Sequence, residues 1–183
     1  MDHGLERKFC APQGAGPLSV GEGSVIEGYA SLFGHTDGGG DVVVAGAYGA
    51  SLARLATRGG RVKMLWQHDP AQPIGVWDEV REDATGLFVR GRLLEGVARG
   101  REAAALVGAG AIDGLSIGYR TIKAVKDKEG RRRLEEVELW EVSLVTFPML
   151  ADARVGAKGD GPEDAIARDL AEAVRDARRL LTR

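Results

Sequence analysis

A serine hydroxyl becomes a useful nucleophile only when an imidazole takes its proton and a third group holds that imidazole, so a scarcity of histidine narrows the search for such chemistry. The 183-residue chain has three, His3, His35 and His68. His3 falls in a lead-in segment dense in Gly and Pro, and His35 falls in the loop GHTDGGGD, where an exposed loop histidine is the simpler reading. His68 follows the apolar run VKMLW and precedes Asp69 and Pro70, a setting that lets the backbone hold its ring at the rim of a sheet. A satisfied sheet-edge histidine fits the same residues.

Ser116 lies in GLSIGY between Gly114 and Gly118, whose missing side chains leave room beside the hydroxyl for a substrate backbone. The bland reading is a small serine in a glycine-flanked strand. The letters also match the G-x-S-x-G nucleophile elbow, but that motif needs a strand, a sharp turn and a helix, whereas YRTIKAV continues as a strand. The elbow enzymes also place their acid and histidine after the serine, and no histidine follows Ser116. Glu141 is the acid of interest. In ELWEVSLVTF strict alternation puts Leu139, Glu141 and Ser143 on one face and Trp140, Val142 and Leu144 on the other. Glu141 thus reads either as a solvent-facing charge on a half-buried sheet or as a buried acid within reach of an imidazole. Asp69 and Asp113 are rival acids, Ser143 is a rival nucleophile or a group positioning water, and Arg120 and Arg154 are candidate oxyanion donors.

These residues need strands to hold them. SVIEGYASLF and DVVVAG read as strands around the glycine-rich loop, and AYGASLARLATRGG reads as a helix with Leu52 and Leu55 on one side and paired glycines at its end. RVKMLWQHDP reads as a strand that Pro70 ends, QPIGVWDEVREDATGLFVRGRLLEG as two antiparallel strands around EDATG, and ARGREAAALVGAG as a short helix. LSIGYRTIKAV and RRLEEVELWEVSLVTF form a long hairpin around KDKEGR. A turn centred between Lys128 and Glu129 would set Ser116 opposite Glu141. Trp66, Trp77 and Trp140 are expected to fill a core or an interface. Residues 1–23 read as a flexible lead-in, 24–155 as the folded domain, and 156–183 as a linker and an amphipathic C-terminal helix through Ile166, Leu170, Val174, Ala177 and Leu181.

Composition sets the outer limits. With 44% apolar and 28% charged residues the chain has material for a core, and 27 glycines promise many turns. Lys and Arg total 25 against 27 Asp and Glu, a net charge of -2 that gives no general attraction for nucleic acid or an anionic membrane. The arginines of RRRLEE, beside glutamates, read as a solvated hairpin tip. No apolar run approaches a membrane span, and MDHGLERKFC lacks a secretory hydrophobic region, so a cytoplasmic location is expected. Cys10 is the single cysteine, which leaves no intrachain disulfide or cysteine-rich zinc knuckle. No metal-binding, dinucleotide or phosphate-loop motif occurs, and no cofactor is implied.

Taken in order, EGYASLFGHTDGGGDVVVAGAY, KMLWQHDPAQPIGVW, GLFVRGRL, GLSIGYR and LWEVSLVTFPMLADA resemble the tailed-phage prohead serine protease family, related to the herpesvirus assemblins. The resemblance spans Ser24 to Val155. It implies a mostly β fold with flanking helices, a small antiparallel β-barrel of the assemblin type, and a site in which His68 is the base, Ser116 the nucleophile and Glu141 the third member. It further implies a serine endopeptidase that cleaves the scaffold or delta segment of the major capsid protein, and also itself, inside the assembling procapsid. Self-association, as in assemblins, is a further implication, and gene transfer agents use similar heads. A noncatalytic capsid assembly or scaffold-binding protein, using its hairpin and terminal helix as contact surfaces, is the alternative.

Overall fold

Alternation of β-branched and aromatic residues with polar ones, interrupted by glycine-rich turns, dictates a sheet, and a sheet dominates. The computed structural model describes residues 6–8, 18–20, 24–148 and 155–156. In chain order they form β1 (Glu6–Lys8), β2 (Leu18–Val20), β3 (Val25–Leu32), β4 (Asp41–Val43), α1 (Gly49–Thr57), β5 (Lys63–Trp66), β6 (Asp69–Glu82), β7 (Gly86–Leu93), α2 (Ala98–Gly108), β8 (Gly114–Lys126), β9 (Arg132–Val145) and β10 (Val155–Gly156). β1 and β2 fall within the stretch read as a lead-in. The helical period of residues 163–181, together with His3, Cys10 and Arg154, lies outside the described residues.

The strands make one sheet in the order β1-β8-β9-β5-β6-β7-β3-β2-β10, with β4 joined to β9. Most neighbours are antiparallel; β4 and β5 run parallel to β9, and β10 runs parallel to β2. β3 touches β8, five places away along the sheet, so the sheet curls into a half-barrel around its apolar face. Inside the curl lie Ile26, Met64, Ile74, Trp77, Leu87, Leu115, Ile117, Leu134, Leu139 and Leu144. Trp77 also donates its indole N–H to the Val142 carbonyl at 3.2 Å, tying β6 across the core to β9. α1 packs against β9 and β6 and α2 against β6 and β7, and α2 adds Ala103 and Val107 to the core. No helix among the described residues is long and apolar enough to cross a membrane.

Two expectations need correction. Pro70 does not end a strand: the chain reverses over Gln67 and His68, and Pro70 is the exposed second residue of β6, where an N–H is not needed. In the long hairpin Ser116 pairs with Ser143, and Glu141 pairs with Gly118. Two devices cause that shift. The turn is organised by Asp127, whose carboxylate accepts the Glu129 and Arg131 N–H groups, which moves the centre toward Glu129. Nearer the site, consecutive residues Gly118 and Tyr119 face Glu141 and Leu139, leaving Trp140 as the extra residue of a bulge. Trp140 is therefore 40% exposed, not part of the core. At the hairpin's tip two of the arginines are paired: Arg131 with Asp127 and Glu129, Arg132 with Asp41.

The EDATG turn between β6 and β7 is fastened by Asp83. One carboxylate oxygen accepts the Thr85 and Gly86 N–H groups, and the other accepts the Tyr29 hydroxyl at 2.7 Å and Arg81 at 2.6 Å. Burial opposes ionisation of this group, but those hydrogen bonds outweigh it and hold Asp83 at about 2, against an ordinary 3.8. Because the folded value is the lower one, the turn's contribution to stability is present above pH 4 and is lost as pH falls toward about 2. Urea titrations at pH 5 and pH 2.5 should show Asp83→Asn losing less stability between the two than the parent. An equal loss in both proteins would mean that Asp83 is not fastened in this way.

Candidate active site

The bulge at Trp140 decides which side chains meet. On a regular strand Leu139 and Glu141 share a face, whereas one extra residue between them reverses parity. Leu139 consequently enters the core opposite Tyr119, while Glu141 lies opposite Gly118 on the other face. Beyond the bulge, Leu115 pairs with Leu144 and Ile117 with Val142 on the core side, and Ser116 pairs with Ser143 on the side of Glu141. Gly114–Tyr119 and Glu141–Val145 are buried throughout. Glu141 is thus not the solvent-facing charge that alternation alone allowed: it is 4% exposed.

His68 reaches this patch from the far side of β9. β5 lies parallel to β9 with Leu65 beside Ser143 and Trp66 beside Leu144, and it is joined to β6 by a two-residue turn. Both turn residues are left-handed, Gln67 at φ 52° and His68 at φ 62°, as a type I′ hairpin requires. Non-glycine residues adopt this conformation at a cost of roughly 1 kcal/mol or more each. Here β9 holds the turn at several points. The Gln67 N–H donates to the Leu144 carbonyl at 2.9 Å, and the His68 N–H donates to the Ser143 hydroxyl at 3.2 Å. The Gln67 amide side chain donates to Thr146 Oγ1 at 2.7 Å and accepts the Thr146 N–H at 3.3 Å.

So held, the imidazole lies between a carboxylate and a hydroxyl. Nδ1 is 2.5 Å from Glu141 Oε1, and Nε2 is 2.8 Å from Ser116 Oγ. A carboxylate accepts and cannot donate, so Nδ1 carries the proton and Nε2 presents its lone pair to the serine O–H. The second oxygen of Glu141 accepts from Ser143 Oγ at 2.5 Å. Ser143 therefore bonds both the histidine backbone and the carboxylate. His68, Ser116, Glu141 and Ser143 are all buried. In such a site an unmade hydrogen bond costs about 1–3 kcal/mol, and an unpaired carboxylate costs more.

The glycines beside Ser116 have a different use from the one expected. A Cβ on Gly118 would fall 2.0 Å from Glu141 Oε1, so its missing side chain makes the space that the carboxylate fills. A Cβ on Gly114 would meet the Val145 carbonyl at 2.6 Å and Pro148 at 2.7 Å. Asp69 turns away from the ring; it accepts from Gln72 at 2.6 Å and from the Ala71 N–H at 2.8 Å, which lower its pKa in that order. Arg120, four residues along β8 from Ser116, is half exposed and paired with Glu138 at 2.7 Å. Asp113 is half-buried just before β8. No group of three or more His, Cys, Asp or Glu able to hold a metal ion occurs among the described residues. Sequence reading did not find Gln67, whose neighbour is histidine and not the glycine that usually marks such a turn.

Residues 17–168 match the family profile described as Caudovirus prohead serine protease. The chain belongs to that family. It is 33% identical over 160 residues to the prohead protease of Enterobacteria phage HK97, a match that covers 86% of this chain and 70% of the phage protein. Its fold also superposes on the bacteriophage T4 capsid assembly protease with a TM-score of 0.61 at 17% identity, over 79% of this chain and 98% of that one. The mostly β half-barrel with flanking helices is therefore the prohead-protease fold, and family membership brings a prohead serine protease role in capsid maturation.

Two substitutions test the geometry apart from any reaction. Gly118→Ala should displace the carboxylate and abolish the low-field Nδ1 proton resonance that a short imidazole–carboxylate bond gives; an unmoved resonance would mean the two groups are not packed as described. Ser143→Ala leaves the His68 N–H and one Glu141 oxygen without their donor or acceptor, and should lower unfolding free energy by about 2–5 kcal/mol in urea titration.

Proposed function

We propose that this prohead protease hydrolyses peptide bonds through an acyl-enzyme formed on Ser116, with His68 as the proton carrier and Glu141 as the group that orients the ring. The observation that carries this reading is the continuous contact from carboxylate to imidazole to hydroxyl, 2.5 Å and 2.8 Å long, at the centre of the protease fold. Each distance lies within the range in which a proton can pass or be held.

In this mechanism His68 Nε2 takes the Ser116 proton as Oγ attacks the scissile carbonyl carbon. The imidazolium, held against Glu141, returns that proton to the leaving nitrogen as the C–N bond breaks. Water then attacks the ester, gives its proton to Nε2, and releases the acid as Oγ regains hydrogen. Ser143 acts through Glu141, fixing the carboxylate so that it faces Nδ1. Its own oxygen already accepts the His68 N–H and its hydrogen is directed at the carboxylate, which makes it a poor rival nucleophile.

The substrate we propose is the scaffold or delta segment of the major capsid protein, together with segments of this chain itself, cut inside the procapsid. The HK97 relative is a prohead protease and the T4 relative a capsid assembly protease, and both names support that assignment. The reaction as written draws only on side chains and water.

Co-expression with the cognate capsid protein, followed by intact-mass analysis of both, tests the reading. Ser116→Ala should fold normally, leave the capsid precursor full length and lower cleavage by at least about 10³-fold, the scale seen when an activated serine is removed. Normal processing by that variant would overturn the nucleophile. Assembly without any proteolysis by the parent protein would favour a scaffold-binding role without catalysis.

A further inference from the structure

The helix α1 buries one residue fully, and that residue is polar: Ser51 is 2% exposed, whereas Leu52 and Leu55 are only partly buried. Its place is explained by β9. Along one edge β9 pairs with β8. On the other edge β4 pairs with residues 132–134 and β5 with residues 141–144, and the stretch between them is met by α1 and the turn before it. The Val137 N–H donates to the Ala47 carbonyl at 3.0 Å, and the Leu139 N–H donates to the Ser51 hydroxyl at 2.9 Å. Arg54, one turn further along α1, pairs with Glu136 at 3.2 Å. Leu139 is as buried as Ser51, so the bond between them is made away from water and is costly to lose.

Successive residues of a strand turn their N–H and C=O groups to opposite edges, so residues an odd number of positions apart on a regular strand do not share one. Leu139 directs its N–H toward α1, and Leu144, five positions on, directs its C=O to the same side, where the Gln67 N–H meets it at 2.9 Å. One extra residue between them restores the match, and Trp140 is that residue. We propose that Ser51 is a positioning residue for the site: by holding Leu139 it fixes the bulge at Trp140, and so decides that Glu141 faces His68. Ser51 touches none of the reacting groups and acts through the strand. With the Leu139 N–H released, the extra residue is free to move along β9, and moving it beyond Glu141 turns that carboxylate to the opposite face, away from Nδ1. The placement half of the proposal involves no reaction; the rate half rests on Ser116 being the nucleophile and His68 its base.

In the full-length chain, Ser51→Ala removes the acceptor and should abolish the low-field Nδ1 proton resonance of His68. It should also lower kcat for cleavage of purified capsid precursor by about tenfold or more while KM stays within about twofold, since a displacement of an ångström at such a site costs up to roughly 10²-fold. Ser51→Thr keeps the hydroxyl and should retain both the resonance and the rate. Val107→Ala opens a cavity in the core at α2, so it destabilises by a different route and should retain both as well, which separates positioning from a general loss of stability. Where Ser51→Ala does not fold, Ser51→Cys is the variant to read, because its sulfur fills the same place as a poorer acceptor; resonance and kcat should fall in the same direction. Loss of the resonance in a protein whose parent cleaves nothing would uphold placement by Ser51 while removing Ser116 as the nucleophile. An unchanged resonance and kcat in the variant that folds, or equal losses in Val107→Ala, would overturn the proposal.

Discussion

A carboxylate buried in a β-hairpin is the constraint around which this fold is arranged. An isolated ion in such a place costs several kcal/mol, and the cost is met only if both oxygens find donors. Glu141 finds them in His68 and Ser143. Each donor then imposes a condition of its own. The imidazole must arrive from β5, two strands away from Ser116, and the hydroxyl must come from the same face of β9 as the carboxylate. Gly118 completes the set by leaving empty the volume that Oε1 takes. Bulge, left-handed turn, serine and glycine are thus separate answers to one electrostatic problem.

The turn that carries His68 shows how the arrangement is kept in one geometry. Two residues in an unfavourable backbone region would relax if left alone, and an imidazole displaced by an ångström would lose one of its two partners. Four hydrogen bonds to β9 or its continuation at Thr146 oppose that relaxation, two from the Gln67 side chain and two from the backbone. Since β9 also carries Glu141 and Ser143, the imidazole and the carboxylate that it touches are referenced to the same strand. Motions of the sheet as a whole therefore move them together.

The same physics explains what the sequence disclosed. Strands β3 to β9 and both helices were legible because each is written as a local period closed by Gly, Asp or Pro. The grouping of His68, Ser116 and Glu141 was legible mainly through family motifs, since residue types alone allowed an ordinary serine and an exposed glutamate. Registration was not legible. Nothing in ELWEVSLV announces that Trp140 is skipped, because a bulge is fixed by the partner strand and by the need to bury Leu139 and Glu141 on opposite faces. Alternation also assumes one wet face, and the inner halves of β8 and β9 have none. The reversal at Gln67 and His68 was hidden for a related reason: its stability comes from contacts with β9, not from turn-forming residues.

Ser116 sits on a strand, not on a tight elbow, and that changes what holds its hydroxyl. An elbow exposes its serine at the end of a sheet, so access depends on loops. Ser116 instead lies within a ladder, opposite Ser143 of β9. The imidazole and the carboxylate reach it across β9, so the ladder that fixes the serine also fixes its contact with the ring. A hydroxyl held in this way needs no loop to keep it in register with the buried imidazole and carboxylate, since all three are fixed by strand pairing and its hydrogen bonds.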